Sequence, residues 1–232
     1  MKKGIYFIGG IDTGVGKTFI TGLLARYLHK NGVRVITFKL VETGSDGISQ
    51  DIRKHRDLMG TGLLPEDLAG VTAPEIFKFP ASPHLSAHLE NRTLNLKKIR
   101  SSLNKLQLSY DVILVEGAGG LATPLTKELL TIEFVAEENW SVILVSSSRL
   151  GSLNHTIMSI EVAKSANVHI AGIVYNRAPE TDSKIEEDTQ QFISKYLTRK
   201  YSASKLISVP WIYDKANFPE IDFSRILKSG TK

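Results

Sequence analysis

The sequence predicts an open, doubly wound α/β fold: a mostly parallel sheet with helices on both faces, in a single domain spanning residues 1–232. Two observations carry this expectation. Short runs crowded with Val and Ile recur along the chain, and segments of helical period separate them. The first run leads straight into a glycine-rich turn that ends in Lys-Thr. A length of 232 residues suits one such domain and buries a substantial core without staples.

"IYFIG" (5–9) reads as a buried strand feeding the glycine turn. Beyond the turn, Ile20, Leu23, Leu24, Tyr27 and Leu28 fall on one helical face, and Asn31-Gly32 stops the helix. "VRVITFKLV" (33–41) crowds β-branched residues as a strand does. Leu96, Ile99, Leu103 and Leu106 share a helical face within 94–108. "DVILVEG" (111–117) is a near-continuous apolar strand that ends in an acid and a glycine. "SVILVSSS" (141–148) and "HIAGIVYN" (169–176) are two more strands, each following a helical segment. Crossovers between parallel strands are right-handed, and ligands of such sheets bind beyond the carboxyl ends of the strands. The places to inspect therefore follow residues 9, 39, 115, 146 and 175.

Composition narrows the class. With 42% hydrophobic and 23% charged residues the chain is an ordinary globular one. No apolar run approaches the roughly 20 residues that cross a bilayer, and "MKKGIYFIGG" runs into glycines rather than a cleavage site, so it reads as a strand. The absence of cysteine excludes disulfides, thiolate metal sites and cysteine nucleophiles. A cytoplasmic protein is expected. The net charge of +5 is concentrated in residues 195–232, which hold eight Lys/Arg against three Asp/Glu. These charges are broken up and lack interleaved aromatics, so they read as a solvated surface, with neither nucleic acid nor membrane as partner.

The glycine turn, "GGIDTGVGKTF" (9–19), is the chemical signal. A phosphate-binding loop has four residues between its first Gly and the Gly-Lys-Ser/Thr; here Ile11 occupies the position that spacing demands, and Gly10 is the nearest glycine. The context of strand, loop and helix is nevertheless the one such a loop requires. The backbone through Thr13, Gly14, Val15 and Gly16 can point N–H groups at phosphate oxygens, and the helix start adds partial positive charge. Lys17 can reach the β- and γ-phosphates, and the Thr18 hydroxyl can hold magnesium. The plainer alternative is a glycine turn whose lysine faces solvent. A nucleotide-hydrolysing site also needs an acid at the end of a neighbouring strand, and "VILVEGAGG" supplies Glu116. A strand-end acid bonded to backbone N–H groups is the alternative there. Gly117, Gly119 and Gly120 permit close backbone approach to phosphate or substrate.

Taken together, "GIDTGVGKT", "FKLVETG", "SPH", "VEGAGG", "LGSLNH" and "VYN" occur in the order found in dethiobiotin synthetases, and the chain resembles that family from about residue 4 to 213. Its members carry a variant phosphate loop with five residues between the first Gly and the Gly-Lys-Thr, as between Gly10 and Gly16. The resemblance implies an ATP- and Mg2+-dependent enzyme of P-loop type that carboxylates 7,8-diaminopelargonate with CO2 and closes it to dethiobiotin, giving ADP and phosphate. It implies Lys39 and Lys17 as the catalytic lysines, with Leu40 where most members carry Pro after the first of them. Thr43 matches the hydroxyl residue that contacts substrate. Asp51 matches the third magnesium residue beside Thr18 and Glu116, although Asp46 is a rival and Asp51 could be a plain helix-start aspartate.

Gly151, Ser152 and Asn154 match the helix start that binds the substrate's carboxylate, contributed in the family by the other subunit of a homodimer; alone, Ser152 could be an ordinary helix cap. His155 reads as a packing or capping histidine. Asn176 matches the adenine-contacting asparagine, and "VPWIYD" (209–214), with Pro210 and Trp211, matches the segment closing over the base. In "ASPHLSA", Ser82 as cap and Pro83 at the first helical position explain much of the match structurally.

Partitioning and septum-positioning ATPases, which bind nucleic acid or membranes, share the sheet and a deviant loop and form the main alternative. Their signature lysine would lie where this chain has Asp12. Corrin-side-chain amidotransferase ligases need a cysteine that is missing here. A generic small-molecule kinase leaves "EGAGG" and "LGSLNH" unexplained.

Overall fold

The computed structural model describes residues 3–178, 181–201, 205–211 and 219–227. The chain begins with β1 (Gly4–Gly10), α1 (Lys17–Lys30), β2 (Val35–Lys39) and β3 (Glu42–Thr43). Next come α2 (Gln50–Met59), α3 (Pro65–Leu68), β4 (Ile76–Phe77), α4 (Pro83–Leu89) and α5 (Leu96–Gln107). The second half comprises β5 (Val112–Gly120), α6 (Thr131–Glu137), β6 (Ser141–Ser147), α7 (Ser152–Ser165), β7 (Ile170–Asn176), α8 (Ser183–Lys200), β8 (Lys205–Val209) and α9 (Ser224–Leu227).

Six strands form one sheet in the order β2-β5-β1-β6-β7-β8, and every neighbouring pair is parallel. The five expected strands are all present. The run expected over 33–41 keeps its ladder only for Val35–Lys39, opposite Val112–Glu116. Residues 42–43 leave it to pair with Ile76–Phe77 in a separate two-stranded sheet. Strand β8 is an addition at the sheet edge: Ile207 and Val209 are buried while Lys205 and Ser208 are exposed, an alternation weaker than the apolar runs of the inner strands.

The stripe on α1 is buried as its spacing demands, with Ile20, Leu23, Leu24 and Leu28 in the core. Full burial of each such side chain is worth about 1.5–3 kcal/mol. The helix stops where Gly32 turns left-handed at φ 75°. Helix α2 lies against α1 at Gly22, where an added Cβ would meet Leu58 Cδ1 at 2.4 Å. It is fastened at its far end by a buried ion pair. Arg56 donates from Nε and Nη2 to the two oxygens of Asp67 (2.8 and 2.9 Å), and from Nη1 to Thr37 Oγ1 on β2 (2.9 Å). Its near end is tied by Glu42, whose carboxylate accepts from the Ser49 hydroxyl, from Ser45 Oγ (2.5 Å) and from the Gln50 N–H (2.7 Å). Ser49 in turn caps the helix by accepting from the Ile52 N–H at 3.0 Å. The carboxyl-terminal edge of the sheet thus carries a helix held at both ends.

Candidate nucleotide site

The loop between β1 and α1 turns at Gly14 and Gly16, with φ of 72° and 92°. At Gly16 a side chain is excluded twice over, since an added Cβ would also lie 2.3 Å from Asn176 Nδ2. Lys17 opens α1 and folds its ammonium back onto the Asp12 carbonyl at 2.8 Å. Burial and the neighbouring Lys39 charge push the Lys17 pKa down to about 8, against the pull of Glu116, Asp51 and Asp12. Val15 is buried, and its carbonyl accepts from Asn176 Nδ2 at 3.0 Å. Thr13 is exposed at the loop tip, its N–H bonded to the Asp12 carboxylate at 2.7 Å.

One residue along, the Thr18 hydroxyl lies 2.9 Å from Asp51 Oδ1 and 2.9 Å from Glu116 Oε1. A hydroxyl has one proton to donate, so the two carboxylates share it. Register explains the meeting: Glu116 sits directly between Ile8 of β1 and Lys39 of β2. Lys39 Nζ bridges the acids, 2.9 Å from Glu116 Oε1 and 2.5 Å from Asp51 Oδ2, and it also donates to the Gly117 carbonyl at 3.2 Å. Burial alone would lower the Lys39 pKa, but Glu116 and Asp51 outweigh it and hold the ammonium charged above its ordinary value. Burial likewise would raise the Glu116 pKa, and Lys39 and His55 reverse this, keeping the carboxyl well below the usual range.

The two rival aspartates stand in different surroundings. Asp51 stands in the first turn of α2 and faces Thr18 and Lys39, while Ser49 does the capping. Asp46 pairs with Lys78 at 2.9 Å on the surface, the two side chains 73% and 72% exposed.

A cavity of about 590 Å³ opens beside the loop, lined among others by Gly14, Gly16, Phe19, Arg149, Asn176 and Trp211. It brings Asn176 and Trp211 together with the glycine loop; Pro210, exposed, precedes Trp211 at the end of β8. Of "VPWIYD", residues 212–214 lie outside the described residues. Gly119, at φ 68°, lies at the end of strand β5, where an added Cβ would meet Thr123 Oγ1 at 2.5 Å.

The substrate candidates are carried by other elements, β3 and the start of α7. Thr43 ends the short strand β3, half-buried. Gly151 is the N-cap of α7 at φ 87°, so Ser152 is not the cap; it is the first helical residue, buried, with its N–H bonded to the Arg149 carbonyl at 3.0 Å. Asn154 is exposed, and His155, also exposed, lines a separate cavity of about 330 Å³ with Asp12, Gly120 and Met158.

Sequence reasoning missed His55. It is fully buried, with Nε2 2.7 Å from Glu116 Oε2. The available signal was its spacing, one helical turn after Asp51 on the same face.

Strand, glycine loop, Lys-Thr helix start and an acid on the adjoining parallel strand define a P-loop α/β protein. A family model described as an AAA domain matches residues 5–216. The ATP-dependent dethiobiotin synthetase BioD of Chlorobaculum tepidum is 48% identical over 199 residues, covering 86% of this chain and 83% of its own length. BioD 2 of Pasteurella multocida is 44% identical, covering 88% and 96%. The chain belongs to the ATP-dependent dethiobiotin synthetase family. A ParA family ATPase from Chlorobium tepidum superposes with a TM-score of 0.53 over 92% of this chain and 86% of its own, at 18% identity, a likeness of fold alone. Partitioning ATPases thus share the sheet, and Asp12 still occupies the position of their signature lysine.

Proposed function

We propose that the protein is a cytoplasmic cyclo-ligase that uses ATP and Mg2+ to carboxylate 7,8-diaminopelargonate with CO2 and close the product to dethiobiotin, with residues 1–232 acting as one domain. Membership of the dethiobiotin synthetase family, at 48% identity, carries this reading. The convergence of Asp51 and Glu116 on Thr18 and Lys39 supports the division of roles.

Thr18, Asp51 and Glu116 would hold the magnesium ion. The donor set fits: three oxygen-bearing side chains meet, with the Thr18 hydroxyl at hydrogen-bond distance from both carboxylates. Magnesium commonly takes one or two carboxylates and completes its shell with water and substrate phosphates. When bound, the ion supplies neutralisation of charge on the β- and γ-phosphoryl oxygens.

The rest falls to the chain itself. An amine of the substrate captures CO2 as a carbamate and loses a proton; a carbamate oxygen attacks the γ-phosphorus and expels ADP, giving a carbamic–phosphoric anhydride; the second amine then attacks the anhydride's carbonyl carbon, loses a proton and expels phosphate to close the urea. Lys39 and Lys17 place positive charge where negative charge develops, and the loop N–H groups from Thr13 to Thr18 orient the phosphates. No side-chain nucleophile is required. Asn176, Pro210, Trp211 and Gly119 line the nucleotide's path, and Thr43 contacts the diamine. Gly151, Ser152 and Asn154 receive the substrate carboxylate from a second copy of the chain in a homodimer. Leu150 and Met158, exposed beside that helix start, offer such a copy an apolar surface.

The test combines protein, MgATP, bicarbonate and 7,8-diaminopelargonate and seeks dethiobiotin by mass. Phosphate release without dethiobiotin, or release stimulated by DNA instead, overturns the reading.

A further inference from the structure

We infer that His55 is a positioning residue: its Nε2–H fixes Glu116 so that Oε1 faces the Thr18 hydroxyl, and this orientation sets the strength of Mg2+-dependent nucleotide binding. The inference rests on the proposed magnesium role of Thr18, Asp51 and Glu116.

Four observations carry it. His55 is wholly excluded from solvent, and Nε2 lies 2.7 Å from Glu116 Oε2. The other oxygen, Oε1, is the one that Thr18 and Lys39 reach, each at 2.9 Å. The carboxylate is therefore gripped from both sides, and rotation about its terminal bond would break bonds at each. A carboxylate oxygen accepts and does not donate, so at 2.7 Å the facing imidazole nitrogen is assigned as the one bearing hydrogen.

The fourth observation is a cost. His55 Nδ1 is buried without a hydrogen-bond partner among the described residues. Such an orphan costs on the order of 1–3 kcal/mol, and a leucine would pack the same space without it. An imidazole kept only for packing has no reason to be there, whereas one whose Nε2–H orients a ligand carboxylate does. Partners of this kind typically change metal affinity or activity by about 10–100-fold when removed. The helix is suited to the task, since Glu42 and Ser49 hold its start and the Arg56–Asp67 pair its end, so Asp51 and His55 move as one body.

The experiment measures binding of a non-hydrolysable ATP analogue by calorimetry, with Mg2+ and with EDTA, for the full chain and for His55→Gln, His55→Asn and His55→Leu. Gln can put an N–H close to where Nε2 lies, whereas Asn places its amide nearer to Nδ1. Asn and Leu are expected to cut the Mg2+-dependent gain in affinity about tenfold or more, leaving the EDTA value unchanged, and Gln to restore most of it. Thermal melts check folding; if Leu does not fold, the Gln–Asn comparison decides. Equal gains in Gln and Asn, or a loss identical with and without Mg2+, overturn the positioning role while the magnesium reading stands. An unmutated protein whose affinity ignores Mg2+ overturns both.

Discussion

The Lys39 ammonium lies 2.9 Å from Glu116 Oε1, with both side chains almost wholly out of water. Removing one member of a buried pair strands the other charge. Lys39→Ala is therefore expected to lose about 3 kcal/mol of stability and to lower turnover about 100-fold or more. Adding Glu116→Gln should recover part of the stability and none of the turnover. Denaturant unfolding and dethiobiotin formation, measured on the single and double variants, separate the two effects. Normal turnover in Lys39→Ala removes it from the chemistry.

Lys17 gives a pH dependence with opposite signs in two measurements. Its ammonium titrates at about 8 rather than 10.5 in the folded protein, through burial first and the Lys39 charge second. Phosphates favour the charged form, so above pH 8 nucleotide binding must take up a proton. Affinity should fall with rising pH by at most about tenfold per unit, visible as buffer-dependent heats at pH 9. Stability runs the other way. Between about 8 and 10.5 the unfolded chain binds more protons at this residue than the folded one, so its contribution to stability rises with pH. Lys17→Ala should abolish both slopes.

What the sequence disclosed follows from burial. Strand β5 was legible because "VILV" is apolar on both faces, and α1 because its stripe keeps the 3.6 period. Strand β8 was not, since an edge strand with Lys205 and Ser208 exposed looks like loop. The loop and Glu116 were singled out from their places at strand ends, and Lys39 from the family resemblance. Asp51 came from the family resemblance with Asp46 as a rival, and its nearness to Thr18 was not legible, because the two lie 33 residues apart and the packing of α2 on α1 brings them together. Nor does spacing alone indicate that Glu116 has a partner 61 residues away in His55.

That rivalry yields a paired test. Asp51→Asn should raise the Mg2+ concentration needed for half-maximal turnover by about tenfold or more. Asp46→Asn breaks only an exposed pair with Lys78, worth about 0–1 kcal/mol, and should leave the Mg2+ requirement unchanged. Titrating Mg2+ at fixed ATP reads both variants, and the reverse pattern would reassign the carboxylate.

Asn176 makes a prediction about the base. Its Nδ2 donates to the Val15 carbonyl at 3.0 Å, which orients the amide and leaves Oδ1 as an acceptor at the cavity that Asn176 lines. An acceptor there favours a base that offers an exocyclic amine, as adenine does, over one that offers a carbonyl, as guanine does at the same position. The protein should therefore prefer ATP to GTP, and Asn176→Ala should erode that preference by about tenfold, mainly by weakening ATP. Gly16→Ala is the comparison for the loop: with φ at 92° and an added Cβ 2.3 Å from Nδ2, it should disturb the phosphate loop as well as Asn176 and so weaken GTP along with ATP. Competition binding with ATP and GTP distinguishes the two variants. Equal loss of both nucleotides in Asn176→Ala would mean that the asparagine shapes the loop without reading the base.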